Sequence, residues 1–202
     1  MENLELVLPE IFISLSIMFL LILGVFKKDS SRLIQNISLL VLLITAVITF
    51  NETLGIDEVR LFNGSVIIDY LSSFMKIATL ITAFLVLVIS SNYLRSLNIF
   101  KIEYPILILS SVLGMMIMIS SNDLIVFYMG LELQSLALYV LATFNRDQIK
   151  SSEAGLKYFV LSALSSGLLL YGCSLIYGFT GSTNFNVIAN QLNSNEYALT
   201  FG

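Results

Sequence analysis

The sequence predicts an all-α, polytopic membrane protein, and composition is the first observation behind that prediction. Of 202 residues, 57% are hydrophobic and only 12% are charged. A soluble domain usually has about a quarter of its residues charged, because polar groups must cover its surface. The mean hydropathy of +0.91 points the same way. Lipid is therefore the expected solvent for most of the chain.

Six long apolar runs are the second observation, and they form a single membrane domain. A membrane helix needs about 20 mostly apolar residues to cross about 30 Å of hydrocarbon. The first run follows the acidic residues Glu2 and Glu5, where a signal peptide would carry positive charge, so we expect a retained helix. The predicted helices cover residues 8–26, 33–50, 70–93, 105–121, 124–144 and 156–180.

Turn and capping residues separate the fourth and fifth runs. Pro105 suits the first turn of the fourth helix, where its missing N–H is not needed. Asp123 suits the start of the fifth helix, where its negative charge meets the positive end of the helix dipole. Only Asn122 and Asp123 lie between the two runs, so the helices should form a tight antiparallel pair.

Lysine and arginine residues predict the orientation of the chain. One set of alternate loops contains seven of them, whereas the other set contains Arg60 alone. By the positive-inside rule the first set faces the cytoplasm, or the matrix of a mitochondrion, and both chain ends lie outside. The seven residues are Lys27, Lys28, Arg32, Arg95, Lys101, Arg146 and Lys150.

The loop between the second and third helices predicts a small β-hairpin over residues 59–68. The turn signal is Asn63-Gly64, which stands between two short runs rich in β-branched and apolar residues. Asn-Gly is favoured there because both positions of a two-residue turn need positive φ. Beyond the sixth run the chain becomes polar, and a short helix is expected around residues 185–192.

Glu132 is the most informative residue for function. It lies near the middle of the fifth run, where a charged group costs at least about 3 kcal/mol even on lenient insertion scales. Tyr128, Ser135 and Tyr139 fall at i−4, i+3 and i+7, so they share its helix face. We interpret this stripe as a functional site that faces the interior of the helix bundle. The alternative is that a protonated Glu132 only bonds a neighbouring helix and holds the bundle together.

Two lysines lie within predicted helices. Lys157 follows Glu153 by four residues, an order that favours an ion pair on one helix face. Its charge could either serve a buried function or simply reach water at the helix end. Lys76, on the third helix, could reach the outer face with its charged end, and we expect it to have a structural role.

Several classes of site are excluded or disfavoured. The chain has no histidine and a single cysteine, Cys173, which argues against haem, zinc and iron–sulfur ligation and against a disulfide within the chain. Gly172-Cys173-Ser174 lacks the following glycine of a hydrolase turn. No nucleotide-binding glycine motif is present, and a net charge of −4 does not suggest nucleic acid. Small residues on the sixth helix, such as Ala163 with Gly167, are expected to serve close helix packing.

Two segments carry a family resemblance. Residues 130–141, GLELQSLALYVL, and residues 151–159, SSEAGLKYF, resemble the subunit N family of bacterial NADH-quinone oxidoreductase, or complex I. The mitochondrial counterpart is NADH dehydrogenase subunit 2. Residues 168–181, which include LLLYG and IYG, extend the similarity. The earlier part of the chain resembles the family mainly in the placement of its helices.

The resemblance implies a fold, a site and partners. Members of this family are antiporter-like membrane-arm subunits, which move protons while other subunits oxidise NADH and reduce quinone. NADH, FMN, iron–sulfur clusters and quinone would then bind to partner subunits, and this chain would bind no cofactor. Glu132 matches the glutamate of the fifth family helix and Lys157 a lysine of the sixth, both implied to act in proton translocation. The implied location is the bacterial inner membrane, or the mitochondrial inner membrane.

Family members have about fourteen helices in two inverted repeats, so a chain that stops after six is expected to be a fragment without the seventh family helix. Such a fragment should not pump protons alone. Two other functions remain open from the residues: a subunit of a sodium or potassium/proton antiporter, and a non-catalytic membrane scaffold in which Glu132 merely packs.

Overall fold

The computed structural model describes residues 4–26, 31–53, 58–96, 99–145 and 147–194. It contains seven α-helices, one short two-stranded sheet and two 3₁₀ turns within those ranges. The helices are α1 (Leu8–Phe26), α2 (Ser31–Thr53), α3 (Tyr70–Ser96), α4 (Glu103–Ile119), α5 (Leu124–Ala142), α6 (Ile149–Thr180) and α7 (Phe185–Ser194), and the strands are β1 (Val59–Leu61) and β2 (Val66–Ile68).

Five of these helices are long and apolar enough to cross a membrane: α1, α2, α3, α5 and α6. The sixth expected span, α4, is apolar but has only 17 residues. An all-α fold with membrane helices is therefore confirmed, whereas a count of six spans is not. α6 begins at Ile149, earlier than the expected residue 156, because its first polar turns continue the helix beyond the apolar run.

The hydrophobic core lies among α1, α2, α3 and α4. Each of these helices buries one face against the others, and the buried side chains are aliphatic or methionine. α6 does not contribute large apolar side chains to this core, and its buried residues are Gly155 and Thr180. The central core residues are Ile13, Leu20, Ile34, Leu42, Leu80, Leu87, Leu109, Val112 and Met116.

α4 and α5 form an antiparallel pair whose backbones nearly touch at two glycines. A Cβ atom added to Gly114 would lie 2.6 Å from the backbone nitrogen of Gln134 and 2.7 Å from the carbonyl oxygen of Gly130. A Cβ atom added to Gly130 would lie 2.9 Å from the backbone nitrogen of Met118. Only residues without a side chain fit there, so the two glycines set the spacing of the pair.

The hairpin at residues 59–68 is confirmed, with a longer turn than expected. β1 and β2 pair antiparallel, with Val59 opposite Ile68 and Leu61 opposite Val66. The loop therefore has four residues, Phe62–Ser65, instead of the two in Asn63-Gly64. Phe62, Asn63 and Gly64 all have positive φ, of 50°, 56° and 84°. The 3₁₀ turn over Phe62–Gly64 accounts for the extra residues.

Hydrogen bonds join this hairpin to the α4–α5 turn and to the loop after α6. The carbonyl oxygen of Gly64 accepts from Asn122 Nδ2 at 2.8 Å and from Asn184 Nδ2 at 3.0 Å. The backbone N–H of Ile67 donates to the Ser120 carbonyl at 2.8 Å. Three segments distant in sequence thus form one layer at this end of the bundle, which we call the hairpin end.

Asp123 caps α5, as the sequence predicted. Its carboxylate accepts from the backbone N–H groups of Ile125 at 2.8 Å and Val126 at 3.4 Å. The hydroxyl of Thr183 donates to the second carboxylate oxygen at 2.5 Å. One side chain therefore satisfies two free N–H groups of the first helical turn and links α5 to the segment after α6.

We expect Gly114→Ala to lower the free energy of unfolding by about 1–3 kcal/mol, because the new methyl group overlaps backbone atoms of α5. The overlap should outweigh the gain of about 1 kcal/mol in helix propensity from Gly to Ala. Thermal unfolding of the full-length protein in detergent would measure the change. Gly167→Ala is the matched control, since a Cβ atom there meets nothing within 4 Å. Equal stability of the two variants would contradict the prediction.

Candidate functional site

Glu132 lies in the middle of α5 with one unsatisfied oxygen. Its Oε1 atom is buried and has no hydrogen-bond partner in the described part of the chain. Gly130 faces α4 and precedes Glu132 by two residues. Two residues correspond to a rotation of about 200° around the helix axis. Glu132 therefore projects from the side of α5 opposite α4. A buried carboxylate oxygen without a partner is unusual and indicates a functional role or a partner beyond the described chain.

The polar stripe that the sequence predicted on α5 contacts α6 through Tyr139, the last residue of the stripe. Tyr139, which is buried, packs edge-on against Tyr158 at a centroid distance of 4.9 Å and against Phe159 at 5.8 Å. Ser135 uses its hydroxyl to donate to the Leu131 carbonyl at 2.8 Å, within its own helix. The face of α5 with Glu132 is thus the face that approaches the first half of α6.

Lys157 forms the predicted ion pair within α6. Its Nζ lies 2.6 Å from Glu153 Oε1, and 69% of the lysine side chain is exposed. Among the residues described, it forms no ion pair with Glu132. It adjoins Tyr158 in sequence, and Tyr158 contacts the stripe on α5. The structure therefore packs Tyr158, the residue next to Lys157, against the stripe, while Lys157 itself pairs with Glu153.

Lys76 does not reach water at the outer face, and it forms a buried ion pair instead. The side chain is only 3% exposed, and Nζ lies 2.6 Å from Oε1 of Glu10 in α1. Burial inside the bundle becomes tolerable because the opposite charge is in direct contact. Glu10 was not singled out from the sequence. The sequence feature that could have indicated the pair is an acidic residue within the first apolar run, Glu10, together with Lys76 in the second turn of the third run.

The small residues of α6 do not pack as expected within the described ranges. A Cβ atom added to Gly167, Gly172 or Gly178 would meet nothing within 4 Å. Cys173 is a free thiol of intermediate exposure. No group of three or more His, Cys, Asp or Glu residues in the described segments is arranged to hold a metal ion. Close contacts of glycine are found instead between α4 and α5, and at Gly155 near the start of α6, which lies against Thr143.

Comparisons with known proteins agree with the resemblance in the sequence. Residues 121–202 match the family described as NADH:quinone oxidoreductase/Mrp antiporter, TM. All 202 residues are 67% identical to NADH-quinone oxidoreductase subunit N of Pelagibacter ubique, and the chain spans 43% of that protein. A subunit N from Paramagnetospirillum magneticum is 49% identical over 185 residues, with 38% of its length covered. The chain thus spans less than half the length of these curated relatives.

Solved structures share the fold. A chain of respiratory complex I from Thermus thermophilus is 28% identical, with a TM-score of 0.72, over 87% of this chain and 38% of that one. A chain of an archaeal membrane-bound sulfane sulfur reductase has a TM-score of 0.78 at 21% identity, covering 93% of this chain and 40% of its own. A chain of the Mrp complex from Dietzia has a TM-score of 0.68 at 23% identity, covering 90% and 36%.

We expect Glu132→Gln to lower the free energy of unfolding by less than Glu10→Gln does, because Glu132 Oε1 has no partner among the described residues, whereas Glu10 would lose its buried contact with Lys76. Thermal unfolding of the full-length protein would measure this. Glu10→Gln is the comparison, since it removes a buried ion pair and should lower stability. A large loss of stability with Glu132→Gln would favour a purely structural role for the carboxyl group.

Proposed function

We propose, on the premise that this chain resembles NADH-quinone oxidoreductase subunit N over all 202 residues, that it is part of a proton-translocating membrane-arm subunit of that enzyme. The observation that carries the proposal is the 67% identity over the whole chain. The fold alone does not distinguish this enzyme from other complexes, because chains of the sulfane sulfur reductase and of the Mrp complex share it. The complete protein would reside in the bacterial inner membrane, with both ends of the present segment outside.

In this proposal NADH, FMN, the iron–sulfur clusters and quinone belong to partner subunits. This chain would contact other membrane-arm subunits and the lipid bilayer. Its contribution is a route for protons, for which it needs protonatable groups inside an apolar helix bundle. Glu132 is such a group, on the face of α5 that α4 does not cover.

Glu132 would act as a protonation switch. An unpaired carboxyl group in a low-dielectric site favours its neutral, protonated form. A cation that approaches Oε1 would favour the charged form and release the proton. Because Oε1 has no partner in the described residues, the atom is available to a cation from a later part of the protein. Such a pair gains and loses protons as a unit.

Lys157 would serve the half of the route on the lysine-rich side. It lies in the first third of α6, and its exposed ammonium group pairs with Glu153. The Tyr139–Tyr158 contact supports this placement, because it holds the residue next to Lys157 against the face of α5 that carries Glu132. Water could connect the two groups over the intervening distance.

Glu132→Gln in the full-length protein is expected to lower the number of protons moved per NADH oxidised, because the amide cannot release a proton. Lys157→Met should have a smaller effect in the same direction. Proton uptake by inverted membrane vesicles, together with NADH oxidation, would measure the ratio. Glu58→Gln, an exposed position at the hairpin end, is the control. An unchanged ratio in Glu132→Gln would remove Glu132 from the mechanism.

Purification of the full-length protein with its partners would separate the respiratory role from that of an Mrp-type antiporter, which the shared family and fold keep as the second candidate. A tag on the protein should recover flavin and iron–sulfur absorption together with NADH oxidation. Recovery of membrane proteins alone, with sodium- or potassium-dependent proton exchange in vesicles, would instead favour the antiporter.

A further inference from the structure

A groove runs along the exposed side of α3 and α4, apart from Glu132 and Lys157. It consists of two adjoining cavities that share Met75 in their lining. The first, of about 360 Å³, lies at the hairpin end between β2, the start of α3 and the α4–α5 turn. The second, of about 290 Å³, continues between α3 and α4 towards the other end of the bundle. Pockets that bind small molecules start at about 300 Å³.

The second cavity is mainly apolar and open to the membrane. The small side chain of Ala78 leaves space there beside α4. Thr79 and Thr82 also line the cavity, but their hydroxyls donate to backbone carbonyl groups within α3 at 2.7 and 2.8 Å. An apolar occupant therefore takes no hydrogen bond away from these two hydroxyls. The exposed residues that follow one line along this side of α3 are Leu71, Met75, Ala78, Thr82 and Val86.

The groove is long enough for a lipid acyl chain. Leu71 and Val86, which lie at its two ends on α3, are separated by about 22 Å at 1.5 Å per residue. One leaflet of a bilayer contributes about 15 Å of hydrocarbon, half of a core of about 30 Å. A single acyl chain that starts at the hairpin end can therefore lie in the groove over its full length.

The hairpin end of the groove offers hydrogen-bond acceptors. Ser72, Ser120 and Ser121 line this cavity. Their hydroxyls each donate to a backbone carbonyl group, at 2.9, 3.0 and 2.7 Å. A hydroxyl group has one hydrogen atom, so these oxygens can only accept further hydrogen bonds. An occupant that binds them must therefore be a donor.

Asp69 adds a negative charge to the same cavity. Its Oδ1 atom accepts from the backbone N–H of Ser72 at 2.7 Å and caps α3, whereas no described residue donates to its Oδ2 atom. Arg60 and Lys76, the cationic residues described near this end, already form ion pairs with other carboxylates. The Asp69 carboxylate thus has no cationic partner within the described ranges, and it favours a positively charged occupant.

We propose that this groove binds phosphatidylethanolamine, with the ammonium group on Asp69 and one acyl chain between α3 and α4. A primary ammonium group carries a positive charge and three N–H donors, which match the carboxylate and the serine oxygens. Phosphatidylcholine has no N–H in its headgroup, and phosphatidylglycerol has a net negative charge. The apolar length of the groove favours a lipid over a lysine side chain of a partner protein. The proposal does not depend on the respiratory role, because lipid binding itself is measured.

Native mass spectrometry of the full-length protein tests the site with these three phospholipids, all carrying the same acyl chains. The parent protein should bind its first phosphatidylethanolamine about tenfold more tightly than phosphatidylcholine, which corresponds to about 1.4 kcal/mol. Asp69→Asn should lose most of this preference, because asparagine still caps the helix but carries no charge. Glu58→Gln is the matched control, since it alters an exposed carboxylate at the same end, and it should keep the preference.

Ala78→Phe tests the apolar part of the groove. The ring would occupy the space of the acyl chain, so the affinity for phosphatidylethanolamine should fall. Because Ala78 is exposed, the larger side chain is compatible with folding. Ile81→Phe is the control, since Ile81 is exposed on α3 but does not line either cavity, and it should bind the lipid as the parent protein does.

Equal binding of phosphatidylethanolamine and phosphatidylcholine by the parent protein would overturn the proposal, and so would a preference for phosphatidylglycerol. An unchanged preference in Asp69→Asn would exclude the ammonium contact. Parent-like binding by Ala78→Phe would show that the acyl chain lies elsewhere. If another part of the full-length protein covers the groove, none of the three lipids binds with a preference, and the proposal is wrong.

Discussion

The close approach of α4 and α5 at Gly114 and Gly130 is the contact on which the candidate site depends. The four-helix core holds α4, and the two glycines let α5 lie directly against it. The position of Gly130 then determines the rest of α5, because each residue adds about 100° around a helix. Glu132 must face away from α4, and Tyr139 must face α6. A backbone contact thus orients the one carboxyl group in the middle of α5.

The hairpin end provides the second constraint. Gly64 accepts hydrogen bonds from Asn122 and Asn184, so one carbonyl group connects the hairpin, the α4–α5 turn and the loop after α6. Asp123 adds a helix cap and a bond to Thr183 in the same region. Buried polar groups need such partners, because an unmade hydrogen bond costs about 1–3 kcal/mol. The polar residues of these short connections therefore have a structural explanation, because they form the hydrogen bonds of this layer.

The sequence predicted features that depend on local chemistry. Asn63-Gly64 predicted the hairpin because these residues favour positive φ, and Asp123 predicted the start of α5 because its side chain can cap a helix. The Glu153–Lys157 pair followed from helical spacing alone. Each of these needs only a few neighbouring residues. The interior position of Glu132 was likewise visible, because a single charge interrupts a long apolar run.

Features that depend on tertiary packing were missed or misplaced. Glu10 and Lys76 are far apart in sequence, and their pairing requires α1 and α3 to be adjacent. Helix contact was expected from the small residues of α6, yet the close contact uses one glycine on α4 and one on α5. Spacing within a helix indicates which residues share a face. It does not indicate which helix, if any, covers that face.

The length of α6 has a consequence for how the protein sits in a bilayer. Its 32 residues extend for about 48 Å, against a hydrocarbon thickness of about 30 Å. With Thr180 at the hairpin-side boundary, a helix along the membrane normal would leave the hydrocarbon near residue 160. Lys157 and Glu153 would then lie among the lipid headgroups, in reach of bulk water. The length of α6 would thereby place its polar first turns at the membrane boundary.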